Sequence, residues 1–177
     1  AYFINQFGNM DNPLAHEQTT APEILEQMEG NVDAIVLGVG SSGTVSGIGK
    51  YLTEHAPNVE LILADPVGSI LAEYINTGQL NDKSSSWLVE GIGEDFIPDI
   101  ADFSRVTKAY AISDAESFAT ARELLKVEGL LAGTCGGSLC GMVACHVAES
   151  LGICGILREI RRPDGRGPGS RGSAHTR

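Results

Sequence analysis

The chain has no apolar run approaching the roughly 18 residues that a membrane-spanning helix needs. It is also short of positive charge: of 177 residues only 12 are Lys or Arg against 23 Asp or Glu, a formal net charge of −11. That imbalance argues against nucleic acid or an anionic membrane as partner and leaves a soluble protein of cytoplasmic type. No charged-then-apolar leader opens the chain, so secretion is not indicated. Ala1 falls inside what reads as structure, and a piece of something longer is the expectation. The four cysteines contain no Cys-x-x-Cys pair, which excludes the common zinc and redox arrangements. Cys140 and Cys145 would point about 140° apart on a helix. Together with Cys135 and Cys154 they read as small apolar residues of a helical core.

What is present is a regular alternation of strand and helix. Residues 19–30 read as a helix capped by Thr20, with Pro22 in its first turn and Glu23 at its positive end. Val32 to Leu37 is a short buried strand. Thr44 to His55 is a helix with Val45, Ile48 and Leu52 on one face, ended by Pro57. Val59 to Ala64 is a second strand and Gly68 to Ile75 a second helix. Residues 77–105 are loop-rich. Val106 to Ile112 is a third strand, followed by a helix that Ser113-Asp114-Ala115-Glu116 opens as a capping box and that runs through Val127. The glycine-rich turn Gly133-Thr134-Cys135-Gly136-Gly137-Ser138 opens a last helix ending near Leu151. This order predicts an α/β fold, a parallel sheet with helices on both faces in three layers, with ligands at the carboxyl ends of the strands. Residues 1–157 form the folded part. From Arg158 to Arg177 the chain is rich in Arg and Gly without apolar periodicity, and reads as a disordered or non-native tail. It has no aromatics on which bases could stack.

The densest chemical signal is Gly38-Val-Gly-Ser-Ser-Gly-Thr-Val-Ser-Gly47. A glycine turn between a strand and a helix offers backbone N–H groups and a positive helix end to an anion. A nucleoside-triphosphate loop would need Lys-Ser or Lys-Thr after the last glycine; Thr44-Val45 stands there instead. Two readings stay open on the turn alone. Gly38-x-Gly40-x-x-Gly43 fits a dinucleotide fingerprint, with Asp65 at the end of the next strand as the ribose-binding acid of an NAD-binding Rossmann domain. Ser41, Ser42, Thr44 and Ser46, in contrast, supply more hydroxyls than a dinucleotide turn uses and suit a terminal phosphate with three acceptor oxygens.

The flanking residues favour the second. Ile4-Asn5-Gln6-Phe7, Asn12-Pro13-Leu14-Ala15-His16, Thr19-Thr20-Ala21-Pro22-Glu23-Ile24, Gly40-Ser41-Ser42-Gly43-Thr44, Asp65-Pro66-Val67-Gly68-Ser69-Ile70-Leu71-Ala72 and Glu90-Gly91-Ile92-Gly93-Glu94-Asp95-Phe96-Ile97-Pro98 occur in the order of the family's motifs. Over residues 3–150 the chain resembles the fold-type-II enzymes of pyridoxal 5'-phosphate (PLP), the cystathionine β-synthase and cysteine synthase family, and is closer to the first branch. The resemblance implies the larger, phosphate-binding domain of such an enzyme. It implies β-elimination and β-replacement on serine or O-acetylserine with homocysteine or sulfide, in a homodimer, with PLP as electron sink.

It also implies roles for particular residues. Gly40, Ser41, Ser42, Gly43 and Thr44 would hold the phosphate, Gln6 and Gly91 would serve the substrate, and Cys135 would face the pyridine nitrogen where the family has Ser or Thr. A thiol is the weaker partner there. The family's Schiff-base lysine lies ahead of the first motif found here. Lys50, Lys83, Lys108 and Lys126 match no motif, so the isolated chain is expected to be inactive.

Overall fold

The computed structural model describes residues 1–80 and 83–150, with backbone alone for 144–150. Three strands, β1 (Ala34–Leu37), β2 (Glu60–Pro66) and β3 (Val106–Ile112), form one parallel sheet in that order. The helices are α1 (Asp11–Ala15), α2 (Ala21–Gln27), α3 (Gly43–His55), α4 (Leu71–Thr77), α5 (Asp114–Glu128) and α6 (Thr134–Ser150). Ala1–Met142 form one compact unit, and the described residues beyond it are Val143–Ser150. The expectations for Cys145, Cys154 and the 158–177 tail lie on residues whose side chains or backbone are outside the described set. Cys135 and Cys140 are free and half-buried.

β2 is the central strand, and every residue after Glu60 in it is buried. Its side chains alternate between faces. Leu61 and Leu63 join Leu37, Val45, Ile48, Leu52, Leu71 and Ala109 in one apolar cluster, built with α3 and α4. Ile62 and Ala64 join Ile112 and Met142 in another, with Val36, Tyr110 and Leu139 against it. Helices α3 and α4 therefore pack on one face and the start of α6 on the other. The apolar run predicts this strand over Val59 to Ala64; the strand observed is Glu60–Pro66, two polar or ring-closed residues longer at its carboxyl end. Both continue the ladder, Asp65 opposite Ala111 and Pro66 opposite Ile112.

The N-terminal helical segment differs most from expectation. It starts at Asp11, not near Thr20, and passes through a π-helical stretch, His16–Thr20, before α2. Thr20 caps nothing: its backbone is helical and its side chain makes no capping bond. Pro22 has no N–H to give to the preceding turn, and the helix widens just before it. Ala21 N–H reaches back to the His16 carbonyl across that wide turn. The helix then presents Ala21, Ile24 and Leu25 to the core. At the other end of the chain, the capping box of α5 forms as read: Glu116 N–H donates to Ser113 Oγ, and Ser113 N–H donates to the Glu116 carboxylate.

Candidate active site

The turn after β1 opens on a cavity of about 770 Å³. Gly38, Gly40, Ser41, Ser42 and Thr44 line one side, Trp87 to Glu94 the other, and Gln6 and Phe7 the edge. Of the residues predicted for the site, Gly40, Ser41, Ser42, Thr44, Gln6 and Gly91 are brought together here. Gly43 and Cys135 are not among the lining residues. Gly43 has a steric role: a Cβ on it would strike the Asn12 side-chain amide. Cys135 stands on the first turn of α6, and the structure shows no contact between its thiol and the cavity.

Ser42 shapes the turn. It enters α3 in the left-handed conformation, φ 74°, which a non-glycine residue adopts at a cost. Its side chain makes no capping bond. Its hydroxyl is buried and has no hydrogen-bond partner. Next to it the leading N–H groups of α3 have no carbonyl behind them to bond. A buried hydroxyl and a row of unpaired N–H donors at a helix N-terminus are costly as they stand, and an anion would satisfy them together.

Two residues of the N-terminal helical segment set the neighbouring hydroxyls. Asn12 Nδ2 donates to Ser41 Oγ at 3.1 Å and to the Gln6 carbonyl at 2.8 Å. Ser41 Oγ thus accepts from behind, and its own proton is free for the cavity. His16 lies between two threonines, Nε2 at 3.2 Å from Thr44 Oγ1 and Nδ1 at 2.9 Å from Thr20 Oγ1. With Thr20 donating to Nδ1, Nε2 carries the proton and donates to Thr44, which leaves the Thr44 hydroxyl to donate onward. Sequence reasoning quoted Asn12 and His16 as part of a motif without giving them this task. Their spacing of four residues, which puts both on one helical face, was the available signal.

The opposite wall is acidic. Glu90 and Glu94 line it, and no Lys or Arg is among the lining residues. The carboxyl of Glu94 titrates above the ordinary range because it is partly buried and because Asp95 and Asp65 lie near. Any phosphate held here would be met by dipoles and hydroxyls, not by a cationic side chain. Lys50 is tied instead to Glu17 at 2.9 Å on the outer side of α3.

Asp65 corrects the dinucleotide reading. Its side chain is fully buried, does not line the cavity, and accepts from Ala72 N–H at 2.8 Å, in the first turn of α4. It caps a helix and cannot reach a ribose. Burial raises its pKa to about 6, against the lowering effect of the Ala72 hydrogen bond, and its second oxygen, Oδ1, is buried without a partner. Among the described residues no helix is long and apolar enough to cross a membrane, and no cluster of His, Cys, Asp or Glu could hold a metal ion.

The chain is similar over most of its length to proteins of known activity. The chain is 45% identical over 138 residues to a cystathionine beta-synthase of Dictyostelium discoideum, covering 78% of this chain and 26% of that protein. It is 41% identical over 138 residues to a cysteine synthase of Helicobacter pylori, covering 78% of this chain and 43% of that one. An O-acetylserine dependent cystathionine beta-synthase of Bacillus subtilis is 37% identical over 138 residues, 78% of this chain and 42% of its own length. The chain thus spans about a quarter of the first of these relatives and under half of the other two. Residues 1–152 match the family described as pyridoxal-phosphate dependent enzyme, and with most of its length inside that pattern the chain belongs to this family.

Proposed function

We propose that this chain forms the phosphate-binding part of a PLP-dependent enzyme that replaces the β-substituent of serine or O-acetylserine by homocysteine or sulfide. The observation that carries the reading is Ser42, a strained residue whose buried hydroxyl has no partner at the mouth of α3. Ser41, Ser42 and Thr44, with the N–H groups of Gly40 to Thr44, hold the phosphate. Asn12 and His16 keep the Ser41 and Thr44 protons turned toward it. Gln6 and Gly91 receive the substrate from the edge and the opposite wall. PLP, when bound, supplies the electron sink that stabilises the carbanion of the substrate. Glu90 and Glu94 make the wall opposite the cup attractive to the ammonium group of an amino acid and unattractive to a second anion. No lysine lines the cavity, so the chain by itself binds PLP through its phosphate and turns over no substrate. In its full-length setting the reading includes a homodimer acting on small amino acids.

Trp87 is the one tryptophan of the sequence and lines the cavity, so its emission reports on ligands directly. Inorganic phosphate and PLP should each change it and displace one another. Thr44→Val should weaken both by about tenfold, the worth of one charge-assisted hydrogen bond. NAD should leave the signal unchanged. Competition between NAD and phosphate would overturn the reading, and formation of cystathionine from serine and homocysteine by this chain alone would overturn its inactivity.

A further inference from the structure

The wall of the cavity opposite the phosphate cup is a segment without helix or strand, yet it is held at defined points. At its start Ser85 N–H donates to the Gly68 carbonyl at 3.0 Å. At its end Gly93 N–H donates to the Val39 carbonyl at 2.7 Å, and Ser69 Oγ bonds both backbone groups of Glu94. Trp87 Nε1 donates to the Ile92 carbonyl at 3.0 Å, closing the segment on itself. Between these points two consecutive N–H groups, those of Leu88 and Val89, turn away from the cavity. They converge on one oxygen of Asp114, at 3.0 and 3.2 Å.

We infer that Asp114 is a positioning residue for the substrate side of the cavity: from the first turn of α5 it holds Leu88 and Val89 so that Glu90 and Gly91 face the phosphate cup. Three observations support the assignment. A carboxylate is an acceptor only, and a pair of adjacent N–H groups aimed at one point is what such an oxygen binds. Asp114 is not needed to start its own helix, because Ser113 and Glu116 already form the capping box. Val89, directly before Glu90, is buried, while Leu88 is 68% exposed. The segment therefore has little apolar packing on one side of its anchor, and the hydrogen bonds set its place. Gly91 follows with φ 82°, and its carbonyl would lie 3.2 Å from a Cβ at Gly40. A displaced Leu88–Val89 pair thus changes the gap between wall and cup. The functional part of this inference rests on the cofactor reading above; the anchor itself does not.

The test compares Asp114→Ala, Asp114→Asn and Ser113→Ala in the full chain by residue-resolved amide exchange, by acrylamide quenching of Trp87 and by phosphate titration. In Asp114→Ala the Leu88 and Val89 amides should exchange at least about tenfold faster, as local opening of the segment requires. Trp87 should become more quenchable, the Gly93 amide should keep its protection, and phosphate affinity should stay within about twofold because the cup is untouched. Asp114→Asn, which keeps an acceptor oxygen and loses the charge, should restore protection. Ser113→Ala, which breaks the capping box and leaves the carboxylate, should leave the two amides as they are. Unchanged exchange in Asp114→Ala overturns the inference, as does an Asn variant that behaves like Ala or a Ser113→Ala variant that reproduces the loss. If Asp114→Ala loses phosphate binding together with protection, Asp114 serves general folding and the inference falls. If the unaltered chain binds no phosphate, the cofactor reading and the functional part fall, and the exchange result still decides the anchor.

Discussion

Two glycine-rich segments open helices in this chain; both use glycines for close packing, and they differ in what lies beside them. The first, Gly38–Gly43, borders a cavity of about 770 Å³, with the Ser41 and Thr44 hydroxyls braced from behind by Asn12 and His16. The second, Gly133–Ser138, packs against α5. A Cβ on Gly137 would strike the Ser117 carbonyl oxygen and come within 2.9 Å of the Ala121 Cβ. Ser117 and Ser138, both buried, share a hydrogen bond of 2.7 Å across the same contact. Small residues in the second let α6 approach α5; in the first, Gly38 and Gly43 make room for the side chains of Ile92 and Asn12, while Ser42 keeps a buried hydroxyl without a partner. Glycine density alone does not distinguish these uses. The satisfaction of the hydroxyls does, since Ser138 is bonded twice and Ser42 not at all.

The two surroundings differ in charge as well, and that difference gives the largest expected effect. Asp65, on the strand beside the first turn, has its carboxyl raised from 3.8 to about 6 by burial. A raised acid is bound more tightly to its proton in the folded state. Its contribution is therefore fully present below about pH 4 and is lost as pH rises to about 6, by up to about 3 kcal/mol. Asp65→Asn should lack this loss. The difference in urea midpoint between the two proteins, followed from pH 4 to 7, should show it, and a flat difference would remove Asp65 from the account. Next in size, Gly137→Ala should cost about 2 kcal/mol, because the added methyl meets backbone and not a movable side chain. Its urea midpoint should fall while phosphate binding per folded molecule is unchanged; a loss of phosphate binding would mean that the two turns are not separate in function. Smallest, Ser42→Gly should raise stability by about 1 kcal/mol by relieving the left-handed conformation, and should weaken phosphate by removing a donor. A variant that binds phosphate as before would place the anion elsewhere on the turn.

Local signals were legible where local chemistry decides. β3 was read at Val106–Ile112, and the Ser113–Glu116 box at the start of α5, because strand periodicity and capping are short-range. The α/β class and the glycine turn between β1 and α3 were legible for the same reason, a buried apolar run followed by glycines. The start of the N-terminal helical segment was not, because Asn9, Asp11, Asn12 and Pro13 carry turn propensity. Asn9 Oδ1 does accept from Asp11 N–H, as an initiator of the helix and not of a loop. Asp65 looked like a binding residue because it ends a strand, and only burial under α4 shows it to be a cap. Least legible was the 85–94 segment. Its order depends on Gly68, Ser69 and Asp114, which are distant in sequence, and no window of residues contains them together.

The π stretch at His16–Thr20 has a consequence for register. A turn closed five residues back holds one residue more than a turn closed four back. Wound as an ordinary α-helix with no residue removed, and with Ala21, Ile24 and Leu25 still seated in the core, the segment would have to carry the extra residue as added rotation. Everything ahead of the stretch would then be rotated by about 100°. Asn12 would leave Ser41 and His16 would leave Thr44, although every side chain that touches the cavity would still be present in the sequence. The extra residue acts as an indexing pin between the helix that packs and the helix that aims.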